Sequence, residues 1–296
     1  VVQPEQIRPG IANYYATAIA DGFDFASILI KTREGRPIKI ESNKEAPDFG
    51  SANARVHASV LSLYDTKRIQ LPKINGKDSS WNDLKSEVLS DLNSVSKKKG
   101  KVVLLTQTFA SPTTNKIIGD LIAKFPNIEH VILDTVPSNY AVESFQDVYG
   151  FKGLVDYDFS KSNFIVSVGA DFLGDWQGGG YDTKYVGNRV PDKKTGKGKM
   201  SKHIQFEANM TLSGANADIR VPATPSEQKK IFSYIYSSVK GLNSKVKLSP
   251  EHIKNAKFAA DGIKKFGSKA VIISGIDDKE VQALILDLNN HIKCSA

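Results

Sequence analysis

The stretch NFIVSVGADF, residues 163–172, decides the fold. Phe164 to Val168 is an apolar run broken only by Ser167, and it ends on Gly169. A short run of this kind, without period-two alternation, predicts a strand buried on both faces, as in a parallel sheet. The segments on either side repeat the grammar. Before it, KVVLLTQ (101–107) reads as a buried strand, SPTTNKIIGDLIAKF (111–125) as a helix opened by Ser111-Pro112, and IEHVILD (128–134) as the next strand. SNYAVESFQDVYG (138–150) reads as a helix. After it, TPSEQKKIFSYIYSSVKG (224–241) places Thr224 as N-cap, Pro225 at the first helical position and Gly241 beyond the end. SPEHIKNAKFAADGIKKFG (249–267) carries the same signals, and KAVIISG (269–275) with DKEVQALILDLNNHI (278–292) adds a strand and a helix. Strands alternating with helices predict a doubly wound α/β body.

The amino-terminal part follows another pattern. ILIKTR (28–33) and RPIKIES (36–42) alternate apolar and polar residues around Glu34-Gly35, which predicts a hairpin in a small separate β layer. The residues before it, Ile19 to Ser27, read as a loop of small and polar residues.

Composition bounds the function. The 296 residues are 40% hydrophobic and 24% charged, with no unbroken apolar run long enough for a membrane span. The single cysteine, Cys294, forms no internal disulfide and supplies too few thiolates for a zinc ribbon or an iron–sulfur cluster. The formal charge of +8 draws on Lys97–Lys101 and Lys193–His203, which read as solvated loops or as docking segments for an acidic protein. No nucleic-acid motif accompanies them. The chain opens on Val1 and shows no export signal or lipidation motif, so any export address is expected outside it. No repeat of about 20–50 residues is visible.

Local motifs give no catalytic site. QGGGYD and GKGKMS lack the order of a phosphate-binding loop. His203 and Glu207 fall on one face of a predicted strand with no third metal ligand nearby in sequence. No GxSxG elbow or HExxH pair occurs. Gly174–Met200 is a long loop that reads either as a docking surface, through Tyr181, Tyr185, Arg189 and its lysines, or as a mobile loop.

The hairpin KTREGRPIKIESN, followed by Pro47, Gly50 and ARVHASVLSLYDTKRIQLP, resembles the amino-terminal region of the molybdopterin oxidoreductase superfamily. There a cysteine loop holding an iron–sulfur cluster precedes a GRxxKxxGN hairpin, and a fourth cysteine follows. The resemblance puts the four cluster-ligand positions at Ile19, Gly22, Ala26 and Asn53, none of which is cysteine. It implies that the cluster is lost, that Ile19, Phe23 and Phe25 fill its space, and that Arg55 is left to serve a carboxylate or backbone carbonyls.

NFIVSVGADFLGDW resembles the opening of the superfamily's third domain, and FEANMTLSGANADIRVPATPSEQKKI its guanine-nucleotide segment, with Glu207, Ser213, Ala217 and Asp218 at comparable places. TPSEQ replaces the usual Pro-Gly-Thr-Asp turn, and Ser144 is the one candidate near the place of a molybdenum ligand. The implied divisions are a vestigial cluster domain at 1–65, the first part of α/β domain II at 66–150, and a Rossmann-like domain III at 151–296.

The combination of YYAT, ARVHASVLSLYD, GADFLGDWQGGGYD and KMSKHIQFEANMTLSGANAD is similar to the large iron–sulfur subunit family of alternative complex III, a bacterial quinol:cytochrome c oxidoreductase. That resemblance implies a fragment with no catalytic residue, metal or cofactor of its own. Iron–sulfur clusters are then expected beyond Ala296, with other subunits of a membrane-bound respiratory complex as partners on the periplasmic side of the inner membrane. The alternatives are a working molybdenum or tungsten bis-pterin oxidoreductase that lacks only the first cluster, and a free-standing α/β binding protein.

Overall fold

A computed structural model describes residues 7–22, 24–43, 45–46, 52–174, 176–191, 194–196, 198 and 200–296. The chain divides into two compact units, Val1–Val136 and Pro137–Ala296.

The first unit opens with β1 (Asn13–Asp21), β2 (Asp24–Arg33) and β3 (Arg36–Ser42), an antiparallel sheet in the order β1-β2-β3. Glu34 (φ 50°) and Gly35 (φ 76°) turn β2 into β3, both in the left-handed region that a two-residue hairpin turn requires. The segment before the predicted hairpin is a strand and not a loop. Tyr15, Thr17 and Ile19 suit an extended backbone, and β1 pairs with β2 from Asn13↔Thr32 to Asp21↔Asp24. Ala26, Ile28, Ile40, Ala52 and Val56 form the small core beneath, with Ile19, Ile30 and Val60 against it. The short helix α1 (Ala54–Ala58) supplies Val56 and is capped by Asn53.

A small hairpin, β4 (Lys73–Ile74) and β5 (Lys77–Asp78), leads to α2 (Trp81–Lys97), and then to a parallel pair, β6 (Val102–Thr106) and β7 (Ile128–Ile132), joined by α3 (Pro112–Lys124). The predicted strands and helix are in place, but β6 is not buried on both faces. Val103 and Leu105 are 55% and 60% exposed, because among the described residues this sheet has only two strands.

In the second unit α4 (Asn139–Tyr149) precedes β8 (Phe164–Val168), α5 (Asp182–Gly187), β9 (Lys202–Glu207), α6 (Leu212–Ala215) and β10 (Ile219–Pro222). Then come α7 (Pro225–Lys240), α8 (Pro250–Phe266), β11 (Ala270–Ser274) and α9 (Lys279–His291). The parallel sheet has the order β10-β9-β8-β11, so direction reverses at β8, as in a Rossmann half. Helix α4, assigned from sequence to the middle segment, belongs here: its buried Ser144 donates from Oγ to Lys279 O at 2.9 Å. That hydroxyl is spent on the packing of α4 against α9, not directed at a ligand.

Alternation along each strand feeds two cores. Phe164, Val166, Val168, Ile204, Phe206 and Ile272 point to the face covered by Ile231, Phe232 and Ile235 of α7, by Ala256, Ala259, Ala260 and Ile263 of α8, and by α9. Ile165, Val271 and Ile273 point to the other face, under Tyr157, Phe159, Phe172, Tyr181 and Tyr185. An irregular aromatic layer thus covers this second face. Gly262 lets α8 approach the sheet closely, since a Cβ there would come within 2.2 Å of the Phe164 ring.

Candidate functional site

The four positions that the resemblance marks for cluster ligands lie in or beside the β1–β2 ladder and at the start of α1. Ile19 and Ala26 sit directly opposite each other in the β1–β2 ladder, and Gly22 (φ 56°) lies in the connection between these strands. Gly22 O accepts from Ala110 N at 2.7 Å, and Gln107 packs so closely on its Cα that a Cβ would meet Nε2 at 2.6 Å. Asn53 caps α1 by accepting from Val56 N at 2.9 Å, while its amide donates to Asp24 Oδ1 at 2.7 Å. Asp24, 7% exposed, is also held by Arg55, whose Nε reaches Oδ2 at 2.7 Å and whose Nη2 reaches Oδ1 at 2.8 Å. The expected carboxylate partner of Arg55 is therefore Asp24.

These residues do not fit an iron–sulfur cluster. An isoleucine, a glycine and an alanine offer no ligand atom, and the asparagine's side chain is committed to a cap and a buried carboxylate. Phe25 does not fill the space as expected: it is 39% exposed on the outer face of β2, and Ala26 and Ile28 pack inward instead. Phe23, Pro47 and Gly50 lie outside the described residues.

In the second unit the place where an open α/β sheet binds ligands is the crevice beyond the strand ends at the reversal of strand order, here between β8 and β11. Gly169 and Gly275 meet there backbone to backbone. A Cβ on Gly275 would lie 2.2 Å from Gly169 O, and one on Gly169 would lie 2.5 Å from Gln228 Oε1. Gln228 is 7% exposed and donates to Ala223 O at 2.9 Å. The helix that opens beside this crevice brings its own negative charge: Asp278 caps α9 by accepting from Val281 N at 3.1 Å, with Glu280 in the first turn. Thr224 caps α7 and Glu227 completes its capping box, accepting from Thr224 N at 2.9 Å and Thr224 Oγ1 at 2.7 Å. Those hydrogen bonds hold the Glu227 carboxyl below its ordinary range. Carboxylates at the helix starts satisfy the amides that a pyrophosphate would otherwise take, and they repel it. The residues present do not fit a dinucleotide here.

The face of β9 toward the aromatic layer is polar and fully paired. Burial pushes the His203 imidazole down to about 4. Its Nε2 lies 3.1 Å from Gln205 Oε1 and its Nδ1 3.3 Å from the Tyr185 hydroxyl. Gln205 Nε2 donates to Ala170 O at 3.1 Å and to Glu207 Oε2 at 3.3 Å. Glu207 accepts from Arg220 Nε and, at 2.6 Å, from Thr211 Oγ1. Asp171 accepts from Ser213 N and Oγ at 2.9 and 2.8 Å, and Ser213 Oγ accepts from Leu173 N at 2.9 Å. Asp218 pairs with Arg189 through Nη1 at 3.2 Å and Nη2 at 3.0 Å and accepts from His203 N at 2.7 Å. Burial opposes ionisation of Asp218, but Arg189 and that amide hold its carboxyl below the usual range.

His203 and Glu207 do share a face, as their spacing implies, with Gln205 between them. Among the described residues no group of three or more His, Cys, Asp or Glu could hold a metal ion. Tyr181 and Tyr185 are 7% and 4% exposed, and Arg189 lies 4.9 Å above the Tyr185 ring. They anchor the loop to the sheet and do not form a free docking surface, and burial pushes the Tyr185 hydroxyl up to about 12. Lys193, Lys197 and Lys199 lie outside the described residues. Asp171, Gln205, Arg220 and Gln228 escaped sequence reasoning; the alternation that placed His203 and Glu207 would have placed Gln205 as well.

No protein-family profile matches the chain. A curated relative, the menaquinone reductase, molybdopterin-binding-like subunit of Nitratidesulfovibrio vulgaris, is 23% identical over 157 residues, covering 50% of this chain and 22% of the relative. The chain thus spans about a fifth of that relative's length. The match supports the molybdopterin oxidoreductase superfamily and not a particular complex within it. Among solved structures, acetylene hydratase from Pelobacter acetylenicus gives a TM-score of 0.49 at 12% identity, over 95% of this chain and 41% of that one. The formyltransferase/hydrolase complex of Methylorubrum extorquens gives 0.46 at 14%, over 73% and 56%. At these scores the α/β assignment rests on the strand order itself.

Proposed function

We propose that this chain is a non-catalytic, cofactor-free region with the molybdopterin oxidoreductase fold, serving as a scaffold within a quinone-linked respiratory complex. The observation that carries this reading is the fate of the four cluster positions. Two are facing members of a strand ladder, one is a glycine in the connecting turn, and one is a helix cap bonded to a buried aspartate. The meeting of Gly169 with Gly275 and the carboxylates at the helix starts support it on the dinucleotide side. Around these positions Asp24, Asn53 and Arg55 hold one another, as do His203, Gln205 and Glu207 on β9.

Electron transport as the setting is supported by the curated relative, whose name places it in a menaquinone reductase. The large iron–sulfur subunit of alternative complex III is the finer assignment, carried by the motifs YYAT, ARVHASVLSLYD and GADFLGDWQGGGYD. On this reading the chain is held by other subunits at the periplasmic side of the bacterial inner membrane, and iron–sulfur clusters of the parent lie beyond Ala296. Among the described residues no helix is long and apolar enough to cross a membrane.

The test is elemental and fluorimetric analysis of the chain purified natively from a host that makes molybdopterin. Iron, molybdenum and tungsten well below one per chain, with no pterin fluorescence after acid oxidation, is the expected result. Stoichiometric molybdenum or tungsten with pterin would overturn the scaffold and restore a bis-pterin oxidoreductase that lacks only the first cluster.

A further inference from the structure

The second unit carries a concentration of positive charge apart from the basic run Lys193–Lys202. Between Lys245 and Lys269 stand seven lysines, no arginine, and two carboxylates, Glu251 and Asp261. The remaining cations and carboxylates of Pro137–Ala296 balance, fifteen against fifteen. The segment Lys245–Lys269 thus carries a local excess of five positive charges, seven lysines against two carboxylates.

These lysines are also left unneutralised. Elsewhere in the unit Lys184, Lys229, Lys240 and Lys279 are each held by a carboxylate. None of the seven has an ion-pair partner among the described residues. On α8 the inner face is given over to His252, Ala256, Ala259, Ala260 and Ile263. Lys254, Lys257, Lys264 and Lys265 are exposed on the outer face, together with Asp261. Ile253 and Phe258, 39% and 38% exposed, border that stripe. At about 100° per residue these seven positions span roughly 140° of the helix circumference. A cationic stripe with an apolar residue at each margin has the make-up of an interface.

We propose that the outer face of α8 is a docking face for an acidic protein surface. Charge complementarity fixes the occupant. Lysines steer a partner and suit exposed carboxylates, whereas phosphate recognition favours arginine, which is absent from this face. A membrane-surface helix needs a broad apolar face free to insert, and that of α8 is already buried in the core. The proposal goes beyond the scaffold reading and holds whether or not the chain binds a cofactor.

The test compares K254E/K257E/K264E/K265E with K85E/K97E/K98E/K99E, which makes the same change in net charge on exposed residues of the first unit. Fluorescently labelled polyglutamate serves as the acidic surface, titrated by anisotropy against the full chain over a range of salt. Phosphatidylglycerol vesicles and duplex DNA form the competing arms. Polyglutamate binding that weakens with salt, falls about tenfold or more in the α8 variant and stays within about twofold in the control is expected. Equal losses in both variants, no binding, or α8-dependent binding that is tighter to vesicles or DNA overturns the proposal. Circular dichroism checks folding. Should the glutamate variant unfold, K254Q/K257Q/K264Q/K265Q decides: a smaller loss in the same direction supports the docking face, and unchanged binding overturns it.

Discussion

Strands β6 and β8 have similar sequences, VVLLT and FIVSV, and opposite surroundings. Every residue of β8 is buried, whereas Val103 and Leu105 of β6 are more than half exposed. A strand's composition reports its need for cover on both faces; its neighbours decide whether the need is met. Around β8 the chain supplies two flanking strands, three helices and an aromatic layer. Around β6 the described residues supply one strand and α3, and Ile132, Leu133 and Val136 continue the apolar surface outward. A two-stranded parallel sheet is at odds with the rule that parallel sheets are covered on both faces. The second unit is therefore the self-sufficient one.

The largest expected effect follows directly. Residues 137–296 expressed alone should unfold in one cooperative transition and show slow amide exchange in β8, β9 and β11. Residues 1–136 alone should bind a hydrophobic dye and show fast exchange in β6 and β7. A sharp, dye-free transition for 1–136 would break the comparison.

Side-chain truncation sharpens it. Phe232 of α7 is 1% exposed in the main core, and Phe232→Ala should cost about 3–5 kcal/mol in denaturant unfolding. Leu105→Ser, on the uncovered face of β6, should cost less than about 0.5 kcal/mol and raise solubility. Similar costs at both sites would mean that β6 is covered.

The buried polar face of β9 adds a pH signature that belongs to the second unit. His203 falls from 6.5 to about 4 because burial penalises the imidazolium. The unfolded chain then binds the extra proton first, so this contribution is complete above about pH 6.5 and is lost as pH drops toward 4. The span corresponds to about 3 kcal/mol. Asp218 and Glu227, held below their ordinary ranges, add their own loss only at lower pH. Denaturant unfolding of residues 137–296 from pH 7 to 4 should show the slope, and His203→Gln should flatten it. An unchanged slope in that variant would assign it elsewhere.

Local grammar made most of the fold legible. Thr224-Pro225, Ser249-Pro250 and Gly241 mark helix ends in the sequence because their effect on the backbone is local. β1 was missed because its outer residues carry no alternation that one buried face would impose: most of the strand is exposed, and pairing with β2 holds it. The cover over β6 could not be read, since VVLLT is the same string whether neighbours come or not. At the candidate site, the resemblance drew attention to Ile19, Gly22, Ala26, Asn53 and Arg55. It could not supply Asp24, 31 residues before Arg55 and chosen by the hairpin register, or the grip of Asp171 on Ser213, 42 residues away. Tyr181 and Tyr185 were misread for a related reason: aromatic residues in a glycine-rich loop look available until the sheet face beneath them is known.

A finer comparison sets two helix-interior glycines side by side. Gly119 in α3 has nothing within 4 Å of where a Cβ would stand, whereas at Gly262 in α8 a Cβ would press within 2.2 Å of the Phe164 ring. Intrinsic propensity favours alanine over glycine at both by about 0.5–1 kcal/mol. At Gly119 nothing opposes the gain, so Gly119→Ala should slow exchange in α3 or raise its stability by that amount. At Gly262 the ring is fully enclosed, stacked on Phe266 at 5.4 Å between centroids and only 1% exposed, so it cannot swing into solvent. Overpacking of that kind costs about 1–3 kcal/mol and outweighs propensity, so Gly262→Ala should destabilise the second unit. Opposite signs from one chemical change would tie the contrast between the units to packing density. Stabilisation at both positions would show that α8 can lift off the sheet, and that the second core is looser than its buried strands imply.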